Sequence, residues 1–161
     1  HQGSGGDQAR ILTEMLQKRG CRVWYDNGVM AEHRNLEGMR RGVRESQCVL
    51  IFLSGRKEMN GKPDPRGEYE GPFTRWFCHE EMAEAHRAAV PFVGVMETDE
   101  RRDKPDIALE KSRAASGGMG DDGNPAPISP HAKQNLLLLD QLCFIPFERQ
   151  QHLVDAMLNE I

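Results

Sequence analysis

Two adjacent glutamates, Glu80 and Glu81, occupy a position in this chain that could support chemistry. The segment 73–89 around them has the residue spacing of a helix, and at about 100° per residue its apolar side chains share one face. Glu81 falls within that face, whereas Glu80 falls on the opposite side among solvated residues. An ionised carboxylate is costly among apolar side chains, so Glu81 is a candidate for a functional site. The alternative is that its carboxylate reaches solvent at the edge of the face or pairs with an arginine. The predicted apolar face consists of Phe77, Cys78, Met82, Ala85, Ala88 and Ala89, and the predicted solvated side of Glu80, Glu84 and Arg87.

Length, charge and cysteine content restrict the class of protein. The 161 residues fit one domain, taken as 1–161. The formal net charge of −4 argues against nonspecific nucleic-acid binding, and the lack of an apolar run of bilayer length predicts no membrane contact for this domain. A start without Met or a secretory signal predicts a piece cut from a longer protein.

The chain has four cysteines, which are widely spaced and form no CxxC pair. This spacing predicts reduced core thiols in a cytoplasmic protein and no metal site. The cysteines are Cys21, Cys48, Cys78 and Cys143.

Helices and apolar strands alternate along the chain. This alternation predicts an α/β fold, a flavodoxin-like doubly wound parallel sheet of about five strands with helices on both faces. Such a fold normally opens with a strand, so the first strand is expected to be missing from this chain. Helices are predicted at 8–19 (capped by Asp7), 36–45, 73–89, 131–140 and 148–161, and strands at 21–25, 48–53, 91–96 and 143–147, the last at a sheet edge because of Pro146.

Two further stretches are interpreted as surface. The segment 97–130 is charged and then rich in Gly and Pro, which predicts a mobile insertion with one helical turn near 107–112. Its first residues, 97–102, are predicted to form a solvated loop. The charged residues of 37–45 are predicted to form a solvated helix face with pairs four residues apart.

Four segments in a fixed order carry a family resemblance: GCRVWYD (20–26), EGMRRGVRESQCVLIFLS (37–54), FCHEEMAEA (77–85) and VPFVGVME (90–97). Together they resemble a TIR (Toll/interleukin-1 receptor) domain over almost the whole chain. The segment FCHEE resembles the W-C-x-x-E helix of that family, whose glutamate cleaves NAD⁺ in the enzymatic members. With Phe77-Cys78 in the place of W-C, the resemblance implies that Glu81 is catalytic. Alignment on Trp76 would select Glu80 instead, but the predicted inward direction of Glu81 and the spacing to Pro91 favour Glu81.

The resemblance implies an NAD⁺ nucleosidase that releases nicotinamide and ADP-ribose or a cyclic form, as an ADP-ribosyl cyclase does. Activation by homotypic self-association in immune or cell-death signalling is expected, and a non-catalytic TIR adaptor is the alternative. One carboxylate suffices because nicotinamide leaves as a neutral group, so the remaining task is to stabilise an oxocarbenium-like ribose.

Contacts to NAD⁺ are predicted at the Gly-rich start and at aromatic side chains, and NAD⁺ is expected as the substrate with no permanently bound cofactor. The Gly-rich start lies before a helix N-terminus, where a diphosphate could bind, although such a sequence is more often a linker. Trp24, Tyr25 and Trp76 could stack on a base or on nicotinamide. Core packing is the alternative for Trp24, and a subunit contact is the alternative for Trp76. The predicted contacts are Ser4, Gly5, Trp24, Asp26, Trp76, Phe77 and Cys78.

Overall fold

The computed structural model describes residues 6–25, 35–54, 71–73, 75–102, 104–116 and 128–161. The secondary structure within these ranges alternates between helix and strand over most of its length. The helices are α1 (Gly6–Lys18), α2 (Leu36–Arg44), α3 (Trp76–Ala88), α4 (Ile107–Ser116), α5 (Ala132–Leu136), α6 (Leu138–Gln141) and α7 (Gln151–Glu160). The strands are β1 (Val49–Leu53), β2 (Phe92–Met96) and β3 (Phe144–Pro146).

A parallel sheet of three strands in the order β1-β2-β3 forms the centre of the described structure. Val49 lies opposite Phe92 at one end, and Met96 lies opposite Pro146 at the other. The mixed α/β class and the parallel pairing are confirmed. The edge position predicted for the strand with Pro146 is also confirmed, because β3 ends the order and a proline there removes no ladder hydrogen bond.

Apolar side chains cover both faces of this sheet. Ile51 and Leu53 point into one cluster and Phe52, between them, into another, because successive strand residues face opposite sides. Helices therefore pack on both sides of the sheet, as the alternation predicts. The first cluster contains Ile51, Leu53, Phe73, Met82, Leu138 and Leu139, and the second Leu12, Phe52, Val95, Phe147, Val154 and Met157.

The strand predicted at 21–25 is wrong, since these residues are neither helix nor strand. Cys21 and Arg22 are exposed, and the Trp24 ring lies on α2 at Gly42, where a Cβ atom would come within 3.0 Å of it. An apolar run becomes a strand only when it finds a ladder partner, and here the tryptophan packs on a helix instead.

Several predicted element ends also differ from the structure. Helix α1 begins at Gly6, so Asp7 lies inside the helix rather than at its predicted cap position. Gly20 adopts a φ of 85° just after the helix, a conformation that glycine favours at helix ends. Helix α7 buries Val154 and Met157 and leaves Leu153 and Ala156 exposed.

The predicted insertion contains regular structure in its described part. A 3₁₀ turn covers Glu100–Arg102, and α4 extends over ten residues rather than one turn. Glu97, predicted to be solvated, is wholly buried. Residues 117–127 of the same segment lie outside the described residues.

The exposure of the cysteines differs from the prediction, and the helices show no membrane-spanning segment among the described residues. All four cysteines are free, as predicted, but Cys21 and Cys143 are exposed rather than in the core. In the described ranges, no helix is both long enough and apolar enough to cross a bilayer.

Candidate functional site

Helix α3 carries both glutamates in its N-terminal half and follows β1 along the chain. In open α/β sheets the helices that follow strands begin near the carboxyl ends of those strands, where ligands bind. Met82 and Ala85 bury one side of α3 against the core, and Ala89 ends the helix in the left-handed conformation. Apolar packing therefore fixes one side of α3.

The predicted orientation of the two glutamates is wrong. Glu80 is only 4 % exposed and Glu84 is equally buried, whereas Glu81 is half-buried. Phe77, predicted to face inward, is 46 % exposed, and Ala88 and Ala89 are also exposed. The helical wheel fails here because α2 packs against the polar side of α3 and buries its carboxylates through ion pairs rather than apolar contact.

Glu80 is held by side chains from two other helical regions. Arg40 of α2 donates from Nη2 to Oε2 of Glu80 at 3.0 Å. His131, just before α5, places Nε2 at 3.7 Å from Oε1, which is beyond hydrogen-bond distance. The carboxylate thus has one oxygen fixed by a charged donor and the other directed toward an imidazole.

Glu84 lies one turn further along α3 and is surrounded by three guanidinium groups. Arg44 donates to its Oε1 at 3.1 Å, Arg87 pairs with Oε2, and the Nε atom of Arg40 lies at 3.9 Å from Oε2. Arg44 also binds Glu37 at 2.6 Å, and this hydrogen bond lowers the pKa of Glu37 and raises that of Arg44. The helix face predicted to be solvated is therefore an ion-pair seam between α2 and α3.

His79 and Asn135 form a second buried contact beside this seam. Nε2 of His79 lies 2.7 Å from the carbonyl oxygen of Phe73, and Nδ1 lies 2.9 Å from the amide nitrogen of Asn135. A carbonyl only accepts and an amide nitrogen only donates, so Nε2 carries the proton and Nδ1 accepts. This arrangement suits a neutral imidazole, and desolvation lowers the pKa of His79 although the bond to Phe73 opposes the shift.

A buried ion pair that was not predicted from the sequence lies at the carboxyl end of the sheet. Glu97 directly follows β2, and its backbone nitrogen donates to the Leu53 carbonyl at the end of β1. Arg149 binds both carboxylate oxygens of Glu97, and this hydrogen bonding raises the pKa of Arg149. The available signal was a glutamate directly after an apolar strand, at the edge of the sheet where polar groups converge.

The predicted contacts to NAD⁺ are only partly brought together. Trp76 and Phe77 form an edge-to-face pair with centroids 5.1 Å apart at the start of α3, and the following Cys78 packs against the first core cluster. The position of Trp24 over Gly42 agrees with its alternative role in packing. Ser4, Gly5 and Asp26 lie outside the described residues.

The arrangement holds an oriented carboxylate, Glu80, between a cation and an imidazole. In the described part of the chain, no three His, Cys, Asp or Glu side chains are grouped so that they could hold a metal ion. The chain matches no protein-family model, no curated protein and no solved structure. The likeness to TIR domains therefore rests on the sequence segments themselves, and the α/β fold is what the structure adds to it.

Proposed function

We propose that this chain is a TIR-type NAD⁺ glycohydrolase that cleaves the bond between nicotinamide and ribose, with Glu80 as the reacting carboxylate. The observation that carries the proposal is the burial of Glu80 in the N-terminal half of α3, with Oε2 bound by Arg40 at 3.0 Å. The reaction itself comes from the resemblance to the W-C-x-x-E helix. The products are nicotinamide and ADP-ribose or its cyclic form.

The choice of Glu80 follows from the criterion already applied to the sequence, namely that the reacting carboxylate is the one directed inward. The burial of Glu80 supports this choice, and alignment on Trp76 gives the same residue. This register restores the tryptophan of the motif, at the cost of placing Phe77 where the family has cysteine. Glu81, which the spacing to Pro91 favours, is half-buried and is the rival assignment.

One fixed carboxylate can perform this reaction. As the bond to nicotinamide lengthens, positive charge develops on the ribose, and a carboxylate held in a desolvated site stabilises that charge without reorganising. Arg40 supplies the fixation by binding one oxygen. The side chain of His131 beside the other oxygen is 34 % exposed, so this is the side from which a sugar could approach.

Self-association is part of the proposal because α3 presents aromatic surface. Phe77 is 46 % exposed, with the Trp76 ring against it, and exposed aromatic side chains are enriched at protein interfaces. The same surface favours the second candidate function, a non-catalytic TIR adaptor. The two functions share the contact and differ only in the release of nicotinamide.

The test is nicotinamide release from NAD⁺, measured by chromatography over a range of protein concentrations beside light scattering. The enzyme proposal expects specific activity to rise as assemblies form, and Phe77→Ser to lower both together. Leu137→Ser, at a leucine that is 54 % exposed, is the matched control and should change neither. Assemblies that release no nicotinamide at any concentration would favour the adaptor and contradict the enzyme.

A further inference from the structure

We propose that His131 is the general base that takes a proton from the water attacking the ribose, an inference that rests on the proposed cleavage of NAD⁺ at Glu80. His131 lies just before α5, and its Nε2 atom is 3.7 Å from Oε1 of Glu80. The two side chains then have separate tasks. Glu80 stabilises the positive charge on the ribose, and His131 activates the water that captures it.

The distance between the two side chains suits a shared water molecule. Oε1 of Glu80 and Nε2 of a neutral imidazole can both accept hydrogen bonds, and 3.7 Å is too long for a direct bond between them. A water about 2.8 Å from each atom would donate one hydrogen to each. Its oxygen would lie directly beside the reacting carboxylate, where the attacking atom is needed.

Solvent reaches His131 through the groove between α3 and α5. This groove has a volume of about 250 Å³, opens to solvent and has His131 in its lining. The His131 side chain is 34 % exposed, whereas that of Glu80 is buried. Water can therefore enter, and a released proton can leave, on the side of the imidazole.

Contacts of α5 with α3 hold His131 in this position. The His131 carbonyl accepts from the backbone nitrogen of Asn135, one turn later. The Asn135 side chain lies 2.9 Å from Nδ1 of His79 and donates to the His79 carbonyl at 3.0 Å. His79 directly precedes Glu80, so α5 meets α3 at two consecutive residues. A general base must lie within reach of its proton, directly or through one water, and this docking meets that requirement.

One bond breaks and one forms in the proposed step. The bond between C1′ and nicotinamide breaks, and its electron pair stays on the nicotinamide nitrogen. The water oxygen bonds to C1′, and its proton moves to Nε2 of His131 and from there to solvent. Water is the only co-reactant, and no group is oxidised or reduced. The imidazolium formed lies within ion-pair distance of Glu80, which stabilises its charge.

A general base distinguishes water from nucleophiles that have no proton to lose. A pyridine nitrogen, or a ring nitrogen of the adenine in NAD⁺, attacks C1′ with a lone pair and releases no proton in that step. Loss of the base should therefore slow hydrolysis more than transfer to these nitrogens. His131 thus favours ADP-ribose over the cyclic product.

The experiment measures how NAD⁺ divides between ADP-ribose and the transfer products, over a range of added pyridine concentrations and with the chain assembled. The transfer products are the pyridine-exchanged dinucleotide and the cyclic form. His131→Gln should lower the ratio of ADP-ribose to transfer products by about tenfold or more, since general bases typically contribute about 10²–10⁴-fold. Lys133→Ala, at an exposed residue of α5, is the matched control and should keep the wild-type ratio.

The outcomes separate this inference from the proposed function. A wild-type chain that releases no nicotinamide overturns the cleavage of NAD⁺, and the general base with it. An active wild type whose product ratio is unchanged in His131→Gln overturns the role of His131 alone. Equal losses of ADP-ribose and transfer products also leave the ratio unchanged, and they would identify His131 as a structural residue.

Discussion

At the scale of single residues, the end of α3 offers a clear stability prediction. Ala89 has a φ of 55°, and the left-handed region costs a non-glycine residue about 1–2 kcal/mol. Ala89→Gly should therefore raise the free energy of unfolding by about 1 kcal/mol in urea denaturation. The neighbouring Ala88→Gly is the matched control, because it places glycine inside the helix and should lower stability by about 0.5–1 kcal/mol. Equal signs for the two substitutions would contradict this account of the cap.

The buried His79 predicts a pH dependence of stability. Desolvation lowers its pKa in the folded state, so the unfolded chain takes up the proton first as the pH falls. The free energy of unfolding should decrease from about pH 6.5 downward, the usual histidine value, until the folded state is also protonated. Glu80 and His131 lie nearby and have opposite electrostatic effects on the same ring.

The control for this pH dependence is His79→Gln, whose amide can donate to Phe73 and accept from Asn135 without titrating. Urea unfolding at pH 7.5 and 5.5 measures the loss in each protein. The wild type should lose more stability than the variant. An equal loss in both would show that His79 does not carry the effect.

The burial of individual side chains was predicted less well than the fold class or the elements. The wheel placed Glu80 in solvent because it counts apolar neighbours on the same helix. Its partner Arg40 lies 40 positions away in sequence and cannot be paired with it by any local pattern. Glu97 was misplaced for the same reason, since Arg149 is 52 positions away.

At the scale of elements, the seam between α2 and α3 should contribute strongly to stability. Removing the carboxylate of Glu84 leaves three arginines facing one another, and breaking a buried ion pair typically costs about 3–5 kcal/mol. Because these arginines are partly exposed and can rehydrate, Glu84→Gln should lower the free energy of unfolding by about 2–3 kcal/mol. Glu37→Gln is the control at an exposed partner of Arg44 and should have a much smaller effect.

The pairing of β2 with β3 predicts another stability change. A Cβ atom at Gly94 would lie 2.8 Å from the ring of Phe144 on the adjacent strand, closer than carbon atoms approach. Gly94→Ala should therefore destabilise by about 1–3 kcal/mol, the usual cost of overpacking. Adding Phe144→Leu should recover part of that loss in thermal unfolding. If the double variant is less stable by the full sum of the two changes, the ring is not the obstacle.

Helices and strands were predicted correctly where their sequence pattern was long or fully apolar. The apolar run before Ser54 gives β1, and the run after Pro91 gives β2, each within one residue of its predicted start. The run 21–25 failed because strand formation needs a partner that periodicity cannot identify. Helix α4 was predicted to be only one turn long because the segment that contains it is rich in Gly and Pro, residues that disfavour helix.

At the scale of the whole molecule, the α/β class with helices on both sides of a parallel sheet followed from the alternation of elements. The proposed reaction depends on this architecture because it brings α2, α3 and the start of α5 together around Glu80. The order of elements does not determine which carboxylate of α3 is buried by α2. That outcome depends on the depth and angle at which the two helices pack.

The most direct test of the central claim compares Glu80→Gln with Glu81→Gln under conditions in which the wild-type chain assembles. Nicotinamide released from NAD⁺ is measured by chromatography, with folding of each variant checked by circular dichroism. Removing a carboxylate that stabilises the transition state typically costs a factor of about 100 or more, so Glu80→Gln should lose at least that much activity while Glu81→Gln keeps most of it. Loss of activity in Glu81→Gln with retention in Glu80→Gln would contradict the account.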